Sequence, residues 1–168
     1  MQRAVRLPLE LTEVPLEELE RLGAQDFWHD HKLGRERDHK PDRTTSWRVA
    51  RESREIPDIS AYPKIVAIAD LVPAPRHQIW VSVLAAGGVI RTHSDSERAG
   101  AVRVHVPLIG KGTFEVEDKR YEMRIGEFWA VDTVGRPHGA KNDGSVARVH
   151  LLVDVLPNHW LREHVPWL

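Results

Sequence analysis

Between residues 78 and 155 no helical pattern of ten to fifteen residues separates one apolar segment from the next. The candidate strands are 78–84, 88–92, 101–108, 113–117, 120–124, 127–132 and 146–155. Gly87-Gly88, Gly110, Gly112, Glu117-Asp118, Gly126 and Asn142-Asp143-Gly144 punctuate them. Short strands at such spacing predict an all-β sandwich or barrel. A parallel α/β fold needs crossover helices, and the sequence has no place for them here. The flanks read differently. Residues 3–9 suit a short strand. Pro15 begins a short helix that Gly23 stops. Residues 63–72 suit a second helix and 157–165 a capping helix. With 168 residues the chain fits one domain. It divides into an N-terminal flanking and substrate-side segment (1–75), a β core (76–156) and a C-terminal cap (157–168).

Period two assigns the faces of two strands. Val102, Val104, Val106 and Leu108 point one way, and Arg103 and His105 the other. On the last strand Ala147, Val149, Leu151 and Val153 share one face, opposite Arg148, His150, Leu152 and Asp154. Each strand therefore presents an Arg-x-His polar face, which looks either into solvent or into a polar barrel interior.

Charge and composition remove several functions. Lys+Arg 24 against Asp+Glu 25 gives a net charge of −1, so a general polyanion binder is not expected, and nucleic acid is not a partner. The absence of cysteine excludes disulfides, Cys-ligated zinc and Cys nucleophiles. The most continuous apolar stretch, Trp80 to Ile90, is too short to span a bilayer, so no membrane role is expected. Pro8 and Glu10 interrupt any secretion-signal core, and a soluble cytoplasmic protein is the expectation. Metal chemistry must then rest on histidine and carboxylate.

His93-Ser94-Asp95, followed by His138 and then Arg148, is the constellation that carries chemistry. Two histidines and one carboxylate with open positions are the ligand set of non-haem Fe(II) oxygenases. Three protein ligands hold the ion and leave room for a bidentate cosubstrate and O₂. A lone His-x-Asp is weak in a chain with ten histidines. The signal lies in the combination of strand context, upstream Gly-Gly turn, distal histidine and a basic residue on the terminal strand. His29, His31 and His39 could also bind metal, but a charged loop over 26–58 explains them better. Within that loop, 44–49 could form a strand, and the segment could act as a flap over a site. Trp80, Trp129, Trp160 and Trp167 read as core or interface fillers, and Trp28 and Trp47 as weak candidates for a substrate wall. Arg43 and Arg48 read as surface arginines more readily than as partners of a substrate carboxylate.

Residues 82–154 resemble the aspartyl/asparaginyl β-hydroxylase-type Fe(II)/2-oxoglutarate dioxygenases, on the branch of the bacterial cis-proline hydroxylases. The residues that carry the resemblance are Ser82, His93-x-Asp95, Arg103-Val-His105-Val-Pro-Leu, Gly126-Glu-Phe-Trp129-Ala-Val-Asp132, His138, Asn142, Arg148-Val-His150-Leu and Asp154. The resemblance implies a mainly β fold, a double-stranded β-helix of jelly-roll or cupin type, here with flanking N-terminal helices. It implies that His93, Asp95 and His138 ligate Fe(II). Arg148, helped by Ser82, would hold the distal carboxylate of 2-oxoglutarate, a task suited to a bidentate guanidinium. Arg103 and His105 would lie near the other end of the cosubstrate or the acidic group of the substrate. The vertebrate branch has Gly where this chain has Asp95, so the full triad is kept here. The additional C-terminal helical region of the proline hydroxylases is lacking, so the substrate pocket would be completed by residues 26–58 or by a second subunit in a homodimer.

The expected reaction is hydroxylation of an amino-acid side chain, free or in a peptide, with 2-oxoglutarate and O₂ consumed and succinate and CO₂ released. Two competitors remain at this stage: a cupin-type metal-dependent isomerase or lyase, and a non-catalytic cupin-like binding module.

Overall fold

Runs rich in valine, such as Val102–Leu108 and Val149–Val155, favour extended backbone because β-branched side chains pack well on a pleated surface. The computed structural model describes residues 2–23, 29–30, 47–51, 61–96 and 100–168. In chain order the elements are β1 (Ala4–Glu10), α1 (Leu16–Gly23), β2 (His29–Asp30), β3 (Trp47–Arg51), α2 (Pro63–Ala69), β4 (Arg76–Leu84), β5 (Val89–His93), β6 (Val102–Ile109), β7 (Thr113–Val116), β8 (Lys119–Glu122), β9 (Glu127–Val131), β10 (His138–Lys141), β11 (Arg148–Val155) and α3 (His159–His164). No helix among the described residues is long and apolar enough to cross a membrane.

The strands form a seven-stranded sheet in the order β1-β9-β6-β11-β4-β3-β2 and a four-stranded sheet in the order β5-β10-β7-β8. Every ladder is antiparallel. The fold is mainly β, of jelly-roll type, with few helices, as expected.

The larger apolar cluster joins Val102, Val104, Val106 and Leu108 of β6 and Val149, Leu151, Val153 and Val155 of β11 to Leu19 and Leu22 of α1, Ile65 and Ile68 of α2 and Leu161 of α3. Helices thus cover the apolar face of the seven-stranded sheet. Glu18 of α1 ties two of them together, accepting a hydrogen bond from the Ile65 amide at the start of α2 at 3.0 Å. A smaller cluster, which includes Leu84, Ile90, Phe114, Val116, Met123 and Ala140, draws on strands of both sheets. Arg103, His105, Arg148, His150 and Asp154 stand on the face of β6 and β11 opposite the helices, and all five are buried. That outcome decides the face left open by the sequence: it is a polar barrel interior.

One strand was not anticipated. β10 pairs with β5 on one side and β7 on the other, and carries His138, which otherwise reads as a loop residue after Pro137. Its His-Gly-Ala-Lys sequence has little strand propensity. Position explains it: a Cβ on Gly139 would lie 2.8 Å from the Ile90 carbonyl oxygen, so glycine lets β5 approach. The second helix ends at Ala69 rather than running to 72, and Pro73 follows soon after. The strand expected over 44–49 is described as Trp47–Arg51, and residues 44–46 lie outside the described residues. Apart from β2 and β3, the charged loop, its histidines at 31 and 39, Trp28, Arg43 and the flap reading also lie outside them.

Asn142 shows how the loops are tied to the barrel. Its amide nitrogen shares its two hydrogens among the carbonyls of Leu84 (3.0 Å), Ala85 (3.0 Å) and Val146 (2.8 Å), and its side-chain oxygen accepts from the Gly144 amide (3.0 Å). The residue is fully buried. Asn142→Ala is expected to destabilise the fold by about 3 kcal/mol, because buried carbonyls lose their donor. A lower urea midpoint with an unchanged slope is the expected result.

Candidate metal centre

β5 ends on His93, and Asp95 follows two residues later in an isolated bridge to Val134. His138 opens β10 and stands opposite His93 in the antiparallel register. This pairing brings the three predicted ligands together, with one donor atom from each within 4.8 Å of the others. The His93 and His138 Nε2 atoms each lie 3.7 Å from an Asp95 carboxylate oxygen. The two imidazole centroids are 4.2 Å apart.

Both rings are held by the same device. His93 Nδ1 meets the Arg91 carbonyl at 2.8 Å, and His138 Nδ1 meets the Arg136 carbonyl at 2.9 Å. A carbonyl can only accept, so Nδ1 carries the proton and Nε2 keeps the lone pair that faces Asp95. Two imidazoles presented in this tautomer, with one carboxylate, fit a divalent ion and leave coordination positions open.

Asp95 is held from behind. Its Oδ2 accepts from the Thr133 hydroxyl at 2.8 Å and from Arg103 at 3.2 Å. Arg103 is in turn clamped by Asp154 through two hydrogen bonds of 2.8 and 2.9 Å, and its guanidinium lies 4.7 Å from the centroid of the Trp80 ring. The predicted Arg103 thus reaches the site with its charge matched by Asp154 and Asp95.

A line of ring contacts leads from the triad into the barrel. His138 lies 6.0 Å from Phe114, Phe114 lies 4.9 Å from His105, and His105 meets His150 edge-on at 5.8 Å. His150 Nδ1 in turn lies 3.4 Å from an Arg148 nitrogen. Ser82, buried on β4, stands opposite His150 in register. Arg148 is 4% exposed, and its Nε has no hydrogen-bond partner. No carboxylate pairs with it among the described residues. Burial pushes its pKa down to about 10. Gly112 makes room for its stem, since a Cβ there would lie 2.6 Å from the Arg148 Cδ. A buried cation without a carboxylate is a poor way to stabilise a fold and a good way to receive an anion.

Burial, reinforced by the Arg148 charge and by His105, pushes the His150 pKa well below its ordinary value of 6.5. The folded protein therefore keeps this ring neutral where the unfolded chain would protonate it. As pH falls below about 6.5 the unfolded state binds the extra proton, and stability drops by up to about 1.4 kcal/mol per pH unit from this group. His150→Gln is expected to flatten the fall by that amount, read from urea unfolding at a series of pH values.

The structure brings His93, Asp95, His138, Arg103, His105, Ser82 and Arg148 to one interior. Thr133, Phe114 and Gly112 were missed. Thr133 carries no motif, and only the close approach of Asp95 to the loop after β9 reveals it. The Arg103–Asp154 pair joins residues fifty-one positions apart. Their shared polar faces hinted at it, but the cross-strand register had to be seen.

A protein-family model described as aspartyl/asparaginyl beta-hydroxylase matches residues 14–157. No curated protein matches the sequence. Similar solved structures include a conserved protein of unknown function from Streptococcus pyogenes, 25% identical over 48% of this chain and 65% of that one, with a TM-score of 0.39. A predicted oxalate decarboxylase from Thermotoga maritima is 18% identical over 66% of this chain and 81% of that one, with a TM-score of 0.44. The cupin domain of Schizosaccharomyces pombe Cnp3 is 14% identical over 70% of this chain and 69% of that one, with a TM-score of 0.46. The chain spans 65% of the length of the first of these three.

Proposed function

The chain belongs to the aspartyl/asparaginyl beta-hydroxylase family, and on that premise we propose that it is an Fe(II)- and 2-oxoglutarate-dependent dioxygenase. Its substrate is an amino-acid side chain, free or in a peptide. The observation that carries this reading is Arg148, a buried cation without a carboxylate partner among the described residues, on the same interior as a two-histidine, one-aspartate set.

His93, Asp95 and His138 would hold the Fe(II), with the lone pairs of both rings fixed by their Nδ1 hydrogen bonds. When bound, iron with 2-oxoglutarate and O₂ supplies the oxidant that replaces an aliphatic C–H by C–OH. One oxygen atom enters the product and the other enters succinate, as the 2-oxo acid is oxidised and loses CO₂. The protein contributes binding and order. Arg148 pairs with the distal carboxylate of 2-oxoglutarate in a dry site, where the attraction is little screened. Ser82 adds a hydroxyl on the neighbouring strand. His150, held neutral, keeps a competing positive charge away from Arg148 without offering a carboxylate that would occupy it. His105 lines the path between the two ends of the site, and Arg103 holds Asp95.

The test is turnover with Fe(II) and 2-oxoglutarate against a panel of amino acids and carboxylate-bearing peptides, following succinate, O₂ and product mass together. Equimolar succinate and a product heavier by one oxygen atom are expected. Conversion of a substrate with no need for 2-oxoglutarate would overturn the proposal in favour of a metal-dependent isomerase or lyase.

A further inference from the structure

The two buried arginines of the interior are held by different means. Arg103 is fixed by two carboxylates, Asp154 and Asp95. The Arg148 guanidinium makes one hydrogen bond among the described residues: its Nη2 donates to His150 Nδ1 at 3.4 Å. Further back, Gly112 confines the side chain, since a Cβ there would lie 2.6 Å from the Arg148 Cδ and 2.9 Å from its Nε. The stem is therefore packed in place, and the direction of the charged end depends on His150.

That contact also settles the state of the imidazole. A guanidinium has donors only, so His150 Nδ1 must accept. Burial, the Arg148 charge and His105 keep the ring neutral, and a neutral ring with an accepting Nδ1 carries its proton on Nε2. The ring itself has little freedom to follow the arginine. It is 4% exposed, meets His105 edge-on at 5.8 Å and stands opposite Ser82 in register.

We propose that His150 is a positioning residue whose Nδ1 lone pair aims the Arg148 guanidinium at the distal carboxylate of 2-oxoglutarate, and so sets a preference for dicarboxylic over monocarboxylic 2-oxo acids. A paired guanidinium–carboxylate contact needs the fork held in one plane, and a preset fork loses less freedom on binding. The inference rests on the cosubstrate reading proposed above, but not on the identity of the substrate.

The test titrates the Co(II)-loaded protein with 2-oxoglutarate and with pyruvate, which keeps the 2-oxo acid end and lacks the distal carboxylate. His150→Leu removes the acceptor. Its affinity for 2-oxoglutarate is expected to fall by at least about 10-fold, the loss of one hydrogen bond to a charged group. Its affinity for pyruvate should not change. His150→Asn, which offers an amide oxygen in place of Nδ1, should recover most of the loss. An equal loss for both acids would show a structural role and overturn the inference. So would an unchanged affinity for 2-oxoglutarate. Nitrogen-15 NMR of the metal-free, unsubstituted protein tests the contact even where the leucine variant does not fold. A bare Nδ1 and a protonated Nε2 are expected in the His150 ring, and the opposite tautomer would overturn the inference. An unsubstituted protein that binds pyruvate as tightly as 2-oxoglutarate would overturn the cosubstrate reading itself, and this inference with it.

Discussion

Arg148→Met is expected to stabilise the metal-free protein while removing its use of 2-oxoglutarate. The two effects have one cause. Arg148 is buried, its Nε lacks a partner, and burial alone pushes its pKa down to about 10. The folded state carries this penalty in full at every pH below about 10, where the guanidinium is charged both folded and unfolded. A shift of that size corresponds to something on the order of 3 kcal/mol. An unbranched apolar side chain of similar length would recover roughly 1–3 kcal/mol of it at neutral pH, as replacement of buried charges by apolar groups can. Binding runs the other way. Loss of one partner from a buried, hydrogen-bonded charge pair costs about 2–5 kcal/mol, so kcat/KM for 2-oxoglutarate should fall at least about 30-fold. Arg148→Lys should recover little, since an ammonium cannot make the paired contact of a guanidinium. Urea unfolding and steady-state kinetics on the same variant check both halves. A destabilised variant that still used 2-oxoglutarate normally would show Arg148 to be a structural residue.

His138→Ala is expected to remove activity to the limit of detection and to weaken metal binding by more than about 100-fold, the upper end for residues that only orient ligands. The fold should survive. His138 starts a short strand held by backbone pairing to both β5 and β7, and that pairing does not involve the ring. Circular dichroism and metal titration on the same sample separate the two outcomes. Retention of activity in a folded variant would remove His138 from the ligand set.

Much of this site is legible in the sequence because its logic is local. His93 and Asp95 are two residues apart, and alternation along β6 and β11 puts Arg103, His105, Arg148 and His150 on polar faces before any fold is known. What alternation cannot supply is which face lies inside. That is decided by α1, α2 and α3, which cover the valine-rich face and turn the Arg-x-His faces into the barrel. The strand β10 was hidden because histidine, glycine, alanine and lysine do not favour extended structure by themselves; its neighbours impose it. Thr133 was hidden for a related reason. Its partner is thirty-eight residues away, and a buried threonine in a turn has no periodic pattern to mark it. The two arginines illustrate the same limit. They occupy equivalent Arg-x-His motifs, yet Asp154 neutralises Arg103 and nothing comparable reaches Arg148 among the described residues.

The central claim is that one interior binds both a metal through His93, Asp95 and His138 and a 2-oxo dicarboxylate through Arg148. Anaerobic titration of the metal-free protein with Fe(II) and then 2-oxoglutarate tests it most directly. The account predicts a visible charge-transfer band that needs both components, is weakened in Arg148→Met and is absent in His138→Ala. Tight Fe(II) binding with no band on addition of 2-oxoglutarate would contradict it.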